Sequence, residues 1–287
     1  MQTELIVFYY TAARDLIDAY ETCRLSELYL WKESTILNKL LLEEMSWPEI
    51  KKALDDGITT VIIAAGSVEQ HGPHLPEITD TVLGYQSAME LARRLGNALV
   101  APVIRPGLSE HHMAFPGSIT LRPEVFTGIV EDYISSYVRH GFKTIILISS
   151  HGGNTATLAK VAEDQAKKYE GVKIISGLSL SDMRPVVESL EKADDLPAGT
   201  YGSHACARET SVMLLFAPQL VDMSKAKCGY LGRLTDEVVQ KVFTGGIASI
   251  SENGILGDAR PSNAERGARC FKAIQDKQEQ VVRDKLG

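Results

Sequence analysis

The residues that could do chemistry in this chain are gathered in a few short segments. The first, residues 66–80, reads GSVEQHGPHLPEITD and follows a short β-branched run. Its imidazoles and carboxylates are Glu69, His71, His74, Glu77 and Asp80. Glu69 and His71 are two residues apart, so their side chains point to the same side of an extended segment. Such mixed ligands favour Zn, Mn or Fe. The alternative is a polar surface loop in which Asp80 caps the next helix.

The second segment, SSHGGN at residues 149–154, also follows an apolar run. His151 would lie where that strand ends, and two glycines let the backbone turn tightly and approach a ligand closely. Asn154 would either cap the next helix or bind a substrate. The alternative is an ordinary strand–turn–helix corner with an incidental histidine. Two imidazoles at strand ends in one chain favour the metal interpretation.

The third segment, GSHACARETS at residues 202–211, places His204 five residues before Glu209. Glu209 falls in the first turn of a predicted helix, where a carboxylate stabilises the helix dipole, and that is its structural explanation. The functional interpretation makes Glu209 a further metal ligand. His204 would then carry a proton, because imidazole titrates near neutral pH.

A fourth segment, SEHHMAFPGSIT at residues 109–120, carries His111 and His112 side by side. Adjacent residues cannot all face one ion, so we interpret this segment as a loop on the substrate side. The alternative is a pair of solvent-exposed histidines. The sequence contains no GxSxG elbow, P-loop or HExxH motif, and no GxGxxG follows a strand.

The elements that must position these segments alternate between strand and helix. Helices are predicted over residues 81–95, 123–140 and 154–169. The predicted strands lack polar alternation, which is typical of strands buried on both faces of a parallel sheet; they are Thr59–Ala65, Ala98–Ile104, Thr144–Ser149 and Val172–Ser176. The pattern therefore predicts an α/β protein with a mostly parallel central sheet flanked by helices. Ligands bind such sheets beyond the carboxyl ends of the strands, where the first two segments lie.

The N-terminal residues 1–39 have a different character. Leu, Ile and Tyr recur there at three- and four-residue spacings, which predicts a helical extension that packs on the body or on a neighbouring subunit. An alternative is that translation starts at Met45, where the domain-like pattern begins. Residues 40–287 are predicted to form the catalytic domain.

Composition limits the class of protein. The chain has 287 residues, of which 44% are hydrophobic and 23% charged, and its formal net charge is -7. These values exclude a disordered chain, a collagen-like repeat and a multi-span membrane protein. The acidic balance predicts neither nucleic acid nor membrane as a partner. Widely spaced cysteines and the lack of a signal peptide predict a cytoplasmic protein.

Taken together, the motifs resemble the creatininase (creatinine amidohydrolase) family. The matching pieces are GSVEQHGPHLP with Asp80, FPGSIT, SSHGGN, HACARETSVMLL and ENGILGDARPSNAERG, and they span roughly residues 40–280. The resemblance implies a three-layer α/β fold and metal-dependent hydrolysis of cyclic or formyl amides. It further implies a centre that usually holds two divalent ions of Zn, Mn or Fe, and a homo-oligomer, often a hexamer.

The resemblance also assigns roles to single residues. It implies that Asp80 bridges the metals and that His204 is the catalytic histidine. In creatininase itself a glutamate two residues after the histidine of the third strand's loop binds metal, but that position here is Gly153. Relatives with HGGN draw a carboxylate from the H-x4-E segment instead, which implies Glu209. The implied metal ligands are Glu69, His71, Asp80, His151 and Glu209.

The expected reaction is hydrolysis of a C–N bond in a small cyclic amide or formamide by metal-activated water. His204 would protonate the leaving group, and Glu209 or Glu69 would orient the water. Contacts to this small-molecule substrate are expected from His111, His112, Gly152 and Asn154. Alternatives are trimming of a peptide precursor, ring opening of an inositol-derived cyclic ketone, and a non-catalytic metal-binding relative.

Creatinine itself is not favoured as the substrate. Creatininase surrounds its substrate with tryptophans, whereas the two tryptophans of this chain, Trp31 and Trp47, both precede the metal motifs.

Overall fold

The central element is a four-stranded parallel sheet. The computed structural model describes residues 39–232 and 235–287, and the strands lie in the order β2-β1-β3-β4. They are β1 (Thr60–Ala65), β2 (Ala98–Val100), β3 (Thr144–Ser149) and β4 (Lys173–Ser176). The predicted parallel sheet is confirmed, because all three strand pairings are parallel.

The pairing of β1 with β3 brings two of the chemistry-bearing segments together. The two strands pair along their whole length, from Thr60 beside Thr144 to Ala65 beside Ser149. Both strands therefore end at the same edge of the sheet. The segments that follow Ala65 and Ser149 leave the sheet side by side.

The second strand is shorter than predicted. β2 ends at Val100, whereas the sequence pattern predicts a strand through Ile104. Pro102 has no N–H to donate to a neighbouring strand, so regular pairing stops before it. Beyond Pro102, an isolated bridge between Ala65 and Ile104 connects this segment to β1 again.

Helices cover both faces of the sheet. In chain order they are α1 (Trp47–Asp55), α2 (Thr79–Leu95), α3 (Pro123–His140), α4 (Thr155–Lys168), α5 (Leu180–Ala193), α6 (Ala207–Phe216), α7 (Asp236–Gly245) and α8 (Ala264–Leu286). α2 and α8 contribute to the core on one face, while α3 and α4 pack together and α4 contacts β3 and β4. The result is a three-layer α/β fold.

The core explains why β1 lacks polar alternation. Every residue of β1 is buried, and Ile62 and Ala64 pack against Ala88 and Leu91 of α2. Full burial of a large aliphatic side chain contributes about 1.5–3 kcal/mol. The strand is therefore held firmly from both sides, and the segment that follows it starts from a fixed point.

Two predictions concern regions or properties outside this sheet. The helical extension predicted over residues 1–39 lies, apart from its last residue, outside the described residues, so it stays a prediction, as does the division at residue 40. Among residues 39–232 and 235–287, no helix is long and apolar enough to cross a bilayer.

Candidate metal centre

The centre forms where β1 and β3 end. Glu69 follows β1, Asp80 lies in the first turn of α2, and His151 follows β3. His151 Nδ1 lies 3.1 Å from Glu69 Oε1 and 3.4 Å from Asp80 Oδ2. All three residues are buried, and α2 already begins at Thr79 with Ile78 at the cap position. The alternative, a polar surface loop in which Asp80 caps the next helix, is therefore wrong.

The two carboxylate oxygens of Asp80 face different imidazoles. Oδ1 lies 3.5 Å from His71 Nε2, and Oδ2 lies 3.4 Å from His151 Nδ1. Asp80 therefore offers one carboxylate oxygen to each of the two histidines, so it would be within reach of a cation held beside either one.

Backbone carbonyls fix the orientation of both imidazoles. His71 Nδ1 donates to the carbonyl of Glu69 over 3.0 Å, and His151 Nε2 donates to the carbonyl of Leu108 over 3.0 Å. A carbonyl only accepts, so these nitrogens carry the protons and the opposite nitrogens face the carboxylates. Metal-binding histidines are held in the same way in other proteins.

His204 joins the centre from the start of α6. Its Nε2 donates to the carbonyl of Gln70 over 2.6 Å, and its Nδ1 lies 3.6 Å from Glu69 Oε1. Two groups of ligand atoms are close enough to share an ion: Glu69 with His71 and His204, and Glu69 with Asp80 and His151. The geometry thus offers His204 as a ligand as well as a proton carrier.

Charge attraction outweighs burial for the central ionisable groups. Burial alone would raise the pKa of Glu69, but His151 lowers it, and His71 with His151 likewise lowers the pKa of Asp80. Burial would lower the pKa of His71, yet Asp80 raises it to about 9. Glu69 raises the pKa of His151 well above its usual value. Without a cation, protons on these imidazoles balance the carboxylates.

Three buried atoms at this point have no hydrogen-bond partner within the described residues: Glu69 Oε1, His71 Nε2 and Asp80 Oδ2. Unpaired polar atoms in the interior are costly. Cations held by the two ligand groups would satisfy these atoms, because Glu69 is in both groups, His71 in one and Asp80 in the other. Because the donors are imidazole nitrogens and carboxylate oxygens, the set fits Zn, Mn or Fe.

Glu209 lies at the edge of the centre, in the first turn of α6. Its Oε2 accepts a 2.6 Å hydrogen bond from the Ala205 N–H, and its Oε1 accepts one of 2.8 Å from Arg208. Oε2 is 3.9 Å from His71 Nε2. Both oxygens are engaged and Glu209 belongs to neither ligand group, so its roles as ligand and catalyst stay predictions.

The two adjacent histidines differ in their surroundings. His112 is only 1% exposed, and its Nε2 lies 3.3 Å from Glu69 Oε1. Burial and the neighbouring His204 hold its pKa far below the usual value, so its imidazole is neutral. His111 is half-buried and its ring stacks on that of His151, 5.7 Å away. The alternative of two solvent histidines is wrong for His112.

Asn154 connects the loops of the centre. Its Oδ1 accepts from the Leu108 N–H over 3.0 Å, and its Nδ2 donates to the carbonyl of Gly66 over 2.8 Å. Asn154 stands at the cap position of α4, as one of the two alternatives predicted, but its side chain makes no cap bond to the helix. Gly152 is exposed beside Leu180. A substrate contact stays a prediction for Gly152 and Asn154.

Sequence reasoning missed two polar residues that hold the ligands. Ser109 donates its hydroxyl to Glu69 Oε2 over 2.7 Å, and the side chain of Gln70 reaches both His112 and His204. The only signal for Gln70 was its place between two predicted ligands. Ser109 is the first residue of the segment with the two histidines, and its residue type carries no signal of its own.

Comparison with known proteins agrees with this geometry. The chain matches the family model Creatininase, described as creatinine amidohydrolase, over residues 43–282. The chain belongs to the creatininase family. The resemblance stated from the sequence motifs is thereby confirmed.

Named relatives in this family differ in their reactions. The chain is 33% identical over 228 residues to the mycofactocin precursor peptide peptidase of Mycolicibacterium smegmatis, covering 77% of this chain and 83% of the relative. It is 28% identical over 252 residues to the creatinine amidohydrolase of Pseudomonas putida, covering 81% and 94%. Solved creatininase chains, described as a mutant of Zn-Zn type and as a Mn form, share the fold with a TM-score of 0.72 at 24% identity. Each of these alignments covers 86% of this chain and 98% of the solved chain.

The resemblance puts Gly153 at the position that implies a metal-binding glutamate in creatininase, and the structure shows what surrounds this glycine. A Cβ atom built there would lie 2.5 Å from His151 Nε2 and 2.5 Å from the carbonyl oxygen of Leu108. The hydrogen bond between those two groups occupies the space that a side chain would need. In this creatininase-family chain, residue 153 is therefore a glycine at a point where any side chain would disturb the hydrogen bond that orients His151.

Proposed function

We propose that this creatininase-family hydrolase cleaves an amide C–N bond with metal-activated water. The observation that carries the proposal is the set of three unpaired buried atoms, Glu69 Oε1, His71 Nε2 and Asp80 Oδ2. They meet at the carboxyl edge of a parallel sheet, where enzymes of this architecture bind their ligands.

The proposed centre would hold divalent cations of Zn, Mn or Fe, two per chain. The proposed ligands are those implied by the resemblance, namely Glu69, His71, Asp80, His151 and Glu209. When bound, such cations lower the pKa of a water molecule towards neutrality and polarise the substrate carbonyl.

His204 is the proposed proton carrier. Its Nε2 is held by the carbonyl of Gln70, so its Nδ1 is the nitrogen that faces the centre. Burial and the neighbouring His71 lower its pKa, which keeps the imidazole neutral and ready to accept a proton at Nδ1. It would then pass that proton to the leaving nitrogen, as a general acid.

The first candidate substrate is a small cyclic amide or formamide, which rests on family resemblance alone. A peptide is the second, because the relative named as a peptide peptidase is 33% identical and the creatinine amidohydrolase 28%. Ring opening of an inositol-derived ketone and a non-catalytic metal-binding role are further alternatives. A homo-oligomer, often a hexamer in this family, and a cytoplasmic location also remain predictions.

The test begins with metal content, measured by elemental mass spectrometry on protein purified without added metal or chelator. About two equivalents per chain support the proposal, and about one would indicate a mononuclear enzyme. No binding even after soaking with Zn, Mn and Fe in turn would overturn it. Loaded protein is then assayed on cyclic amides, formamides and short peptides.

Two variants separate the proposed roles. His151→Ala is expected to lose metal and activity together. His204→Ala is expected to keep its metal and to lose about a hundredfold or more in kcat, the usual contribution of a general acid–base group. If His204→Ala loses its metal as well, His204 is a ligand and the proton carrier lies elsewhere.

A further inference from the structure

Gln70 lies between two proposed ligands and is itself only 4% exposed. Its amide has one defined orientation, because Oε1 accepts a 2.9 Å hydrogen bond from the Gly72 N–H. Nε2 therefore points to the other side, where three possible acceptors meet it. These are the Gly254 carbonyl at 3.2 Å, His112 Nδ1 at 3.1 Å and His204 Nε2 at 3.0 Å.

An amide nitrogen has two N–H groups, so it cannot serve three acceptors. His204 Nε2 is not an acceptor, because it donates its own proton to the main-chain carbonyl oxygen of Gln70 over 2.6 Å. The two N–H groups of Gln70 are therefore directed to the Gly254 carbonyl and to His112 Nδ1. In this assignment the carbonyl oxygens of Gly254 and Gln70 and Nδ1 of His112 each accept one hydrogen bond.

The assignment fixes the tautomer of His112. Because Nδ1 accepts from Gln70, the proton of the neutral imidazole lies on Nε2. That nitrogen is 3.3 Å from Glu69 Oε1, one of the three unpaired atoms of the centre. The protonated nitrogen of His112 thus faces Glu69 and the centre, while the unprotonated one faces Gln70.

The surroundings of Gln70 hold its amide in place. Gly254 has a φ of +77°, and a Cβ atom there would lie 2.1 Å from Gln70 Oε1. Only a glycine allows this close approach and this backbone conformation. The ENGILGD part of the last sequence motif therefore supplies the surface against which the amide of Gln70 packs.

We propose that Gln70 is a positioning residue that holds His112 as its Nε2–H tautomer, so that a protonated nitrogen faces the centre, 3.3 Å from Glu69 Oε1. The use of that donor in hydrolysis rests on the proposed function. The tautomer itself does not rest on it, and it can be measured in the metal-free protein.

The test is NMR on full-length, chelator-treated protein labelled with 15N-histidine. Two-bond 1H–15N correlations distinguish a protonated ring nitrogen from an unprotonated one. The His112 signals are assigned by their loss in His112→Asn or, if that variant does not fold, by the proximity of its ring to that of His111, 4.3 Å away. The expected result is a protonated Nε2 and an unprotonated Nδ1. A protonated Nδ1 in the unmodified protein would overturn the proposal.

Two substitutions then test whether Gln70 is the cause. Gln70→Glu replaces a donor by an acceptor of the same shape and is expected to move the His112 proton to Nδ1. Gln70→Met removes the donor and is expected to abolish the preference. The matched control is Gln275→Met, which removes another buried amide, one that donates to Ser87 on α2, and should leave the His112 signals unchanged. If both Gln70 variants fold and keep the original tautomer, Gln70 does not position His112.

The outcomes distinguish this inference from the proposed function. A protein that binds no metal but shows the expected tautomer refutes the hydrolase and keeps the inference. A metal-loaded, active hydrolase whose His112 carries its proton on Nδ1 does the reverse.

Discussion

The hydroxyl of Ser109 donates a 2.7 Å hydrogen bond to Oε2 of Glu69 in the buried interior. This bond occupies one carboxylate oxygen and leaves the other, Oε1, at the centre, where it has no hydrogen-bond partner among the described residues. Ser109, which is not a proposed metal ligand, thus leaves Oε1 as the oxygen of Glu69 that is available to a cation.

Replacement of Ser109 by Ala is expected to weaken metal binding about 10–100-fold, the usual effect of losing a hydrogen bond to a ligand. The metal-free protein should lose about 1–3 kcal/mol of unfolding free energy, because a buried acceptor remains unpaired. Competition with a chelator and denaturant titration measure the two effects. Ser87→Ala, which removes an acceptor of Gln275 remote from the centre, should change only stability. An unchanged metal affinity in Ser109→Ala would contradict the assigned role.

Replacement of Asp80 by Asn is expected to reduce bound metal to below about one equivalent per chain, because the shared carboxylate would be lost from both proposed sites. Elemental mass spectrometry gives the metal content, and circular dichroism shows whether the fold remains. Asp194→Asn is the control, since Asp194 pairs with Arg269 and bonds to Tyr201. Full metal content in folded Asp80→Asn would remove Asp80 from the ligand set.

Two adjacent glycines give a matched pair of variants. Gly153→Ala introduces a methyl group 2.5 Å from His151 Nε2, whereas the nearest atom to a Cβ at Gly152 is Leu180 Cδ2 at 3.9 Å. Gly153→Ala is therefore expected to cost about 1–3 kcal/mol of stability through overpacking, and to weaken metal binding by displacing His151. Gly152→Ala should change neither property measurably. Equal behaviour of the two variants in thermal unfolding and metal titration would contradict this account of residue 153.

Metal affinity is expected to rise with pH up to about 9. In the metal-free protein Asp80 raises the pKa of His71 to about 9 despite burial, so a proton occupies this imidazole below that pH. A cation must displace the proton, and the apparent Kd should weaken about tenfold per pH unit for each proton released. Chelator competition between pH 6 and 9, corrected for the titration of the chelator, measures the slope. A Kd that is constant from pH 7 to 9 would show that His71 is not protonated in the free site.

The sequence predicts those parts of the molecule that depend on local pattern. Apolar runs without alternation predict β1 and β3, and the rule that ligands bind beyond strand ends predicts that Glu69 and His151 approach each other. The two-residue spacing of Glu69 and His71 correctly predicts that both side chains reach the same centre. The end of β2 is also predictable, because Pro102 has no N–H for strand pairing. The strand predicted through Ile104 is too long because it follows the apolar run past this proline.

The sequence does not predict the contacts that orient the ligands. Gln70 alternates with Glu69 and His71, so an extended segment would direct its side chain away from them. Its amide reaches the centre only because other parts of the chain bring His112 and Gly254 to it. Ser109 gives no signal at all, since a buried serine and a surface serine look alike in a single sequence.

The hydrogen bond between Gln70 and the Gly254 carbonyl joins residues 184 positions apart. A ribosome must therefore release most of the chain before this contact can form, and a fragment lacking the last motif cannot complete the centre. Contacts between such distant residues also form slowly, because a long loop must close first. Any ligand that binds the completed centre stabilises only the finished fold. We therefore expect the proposed metal to bind only after residue 254 has been synthesised and has folded against Gln70.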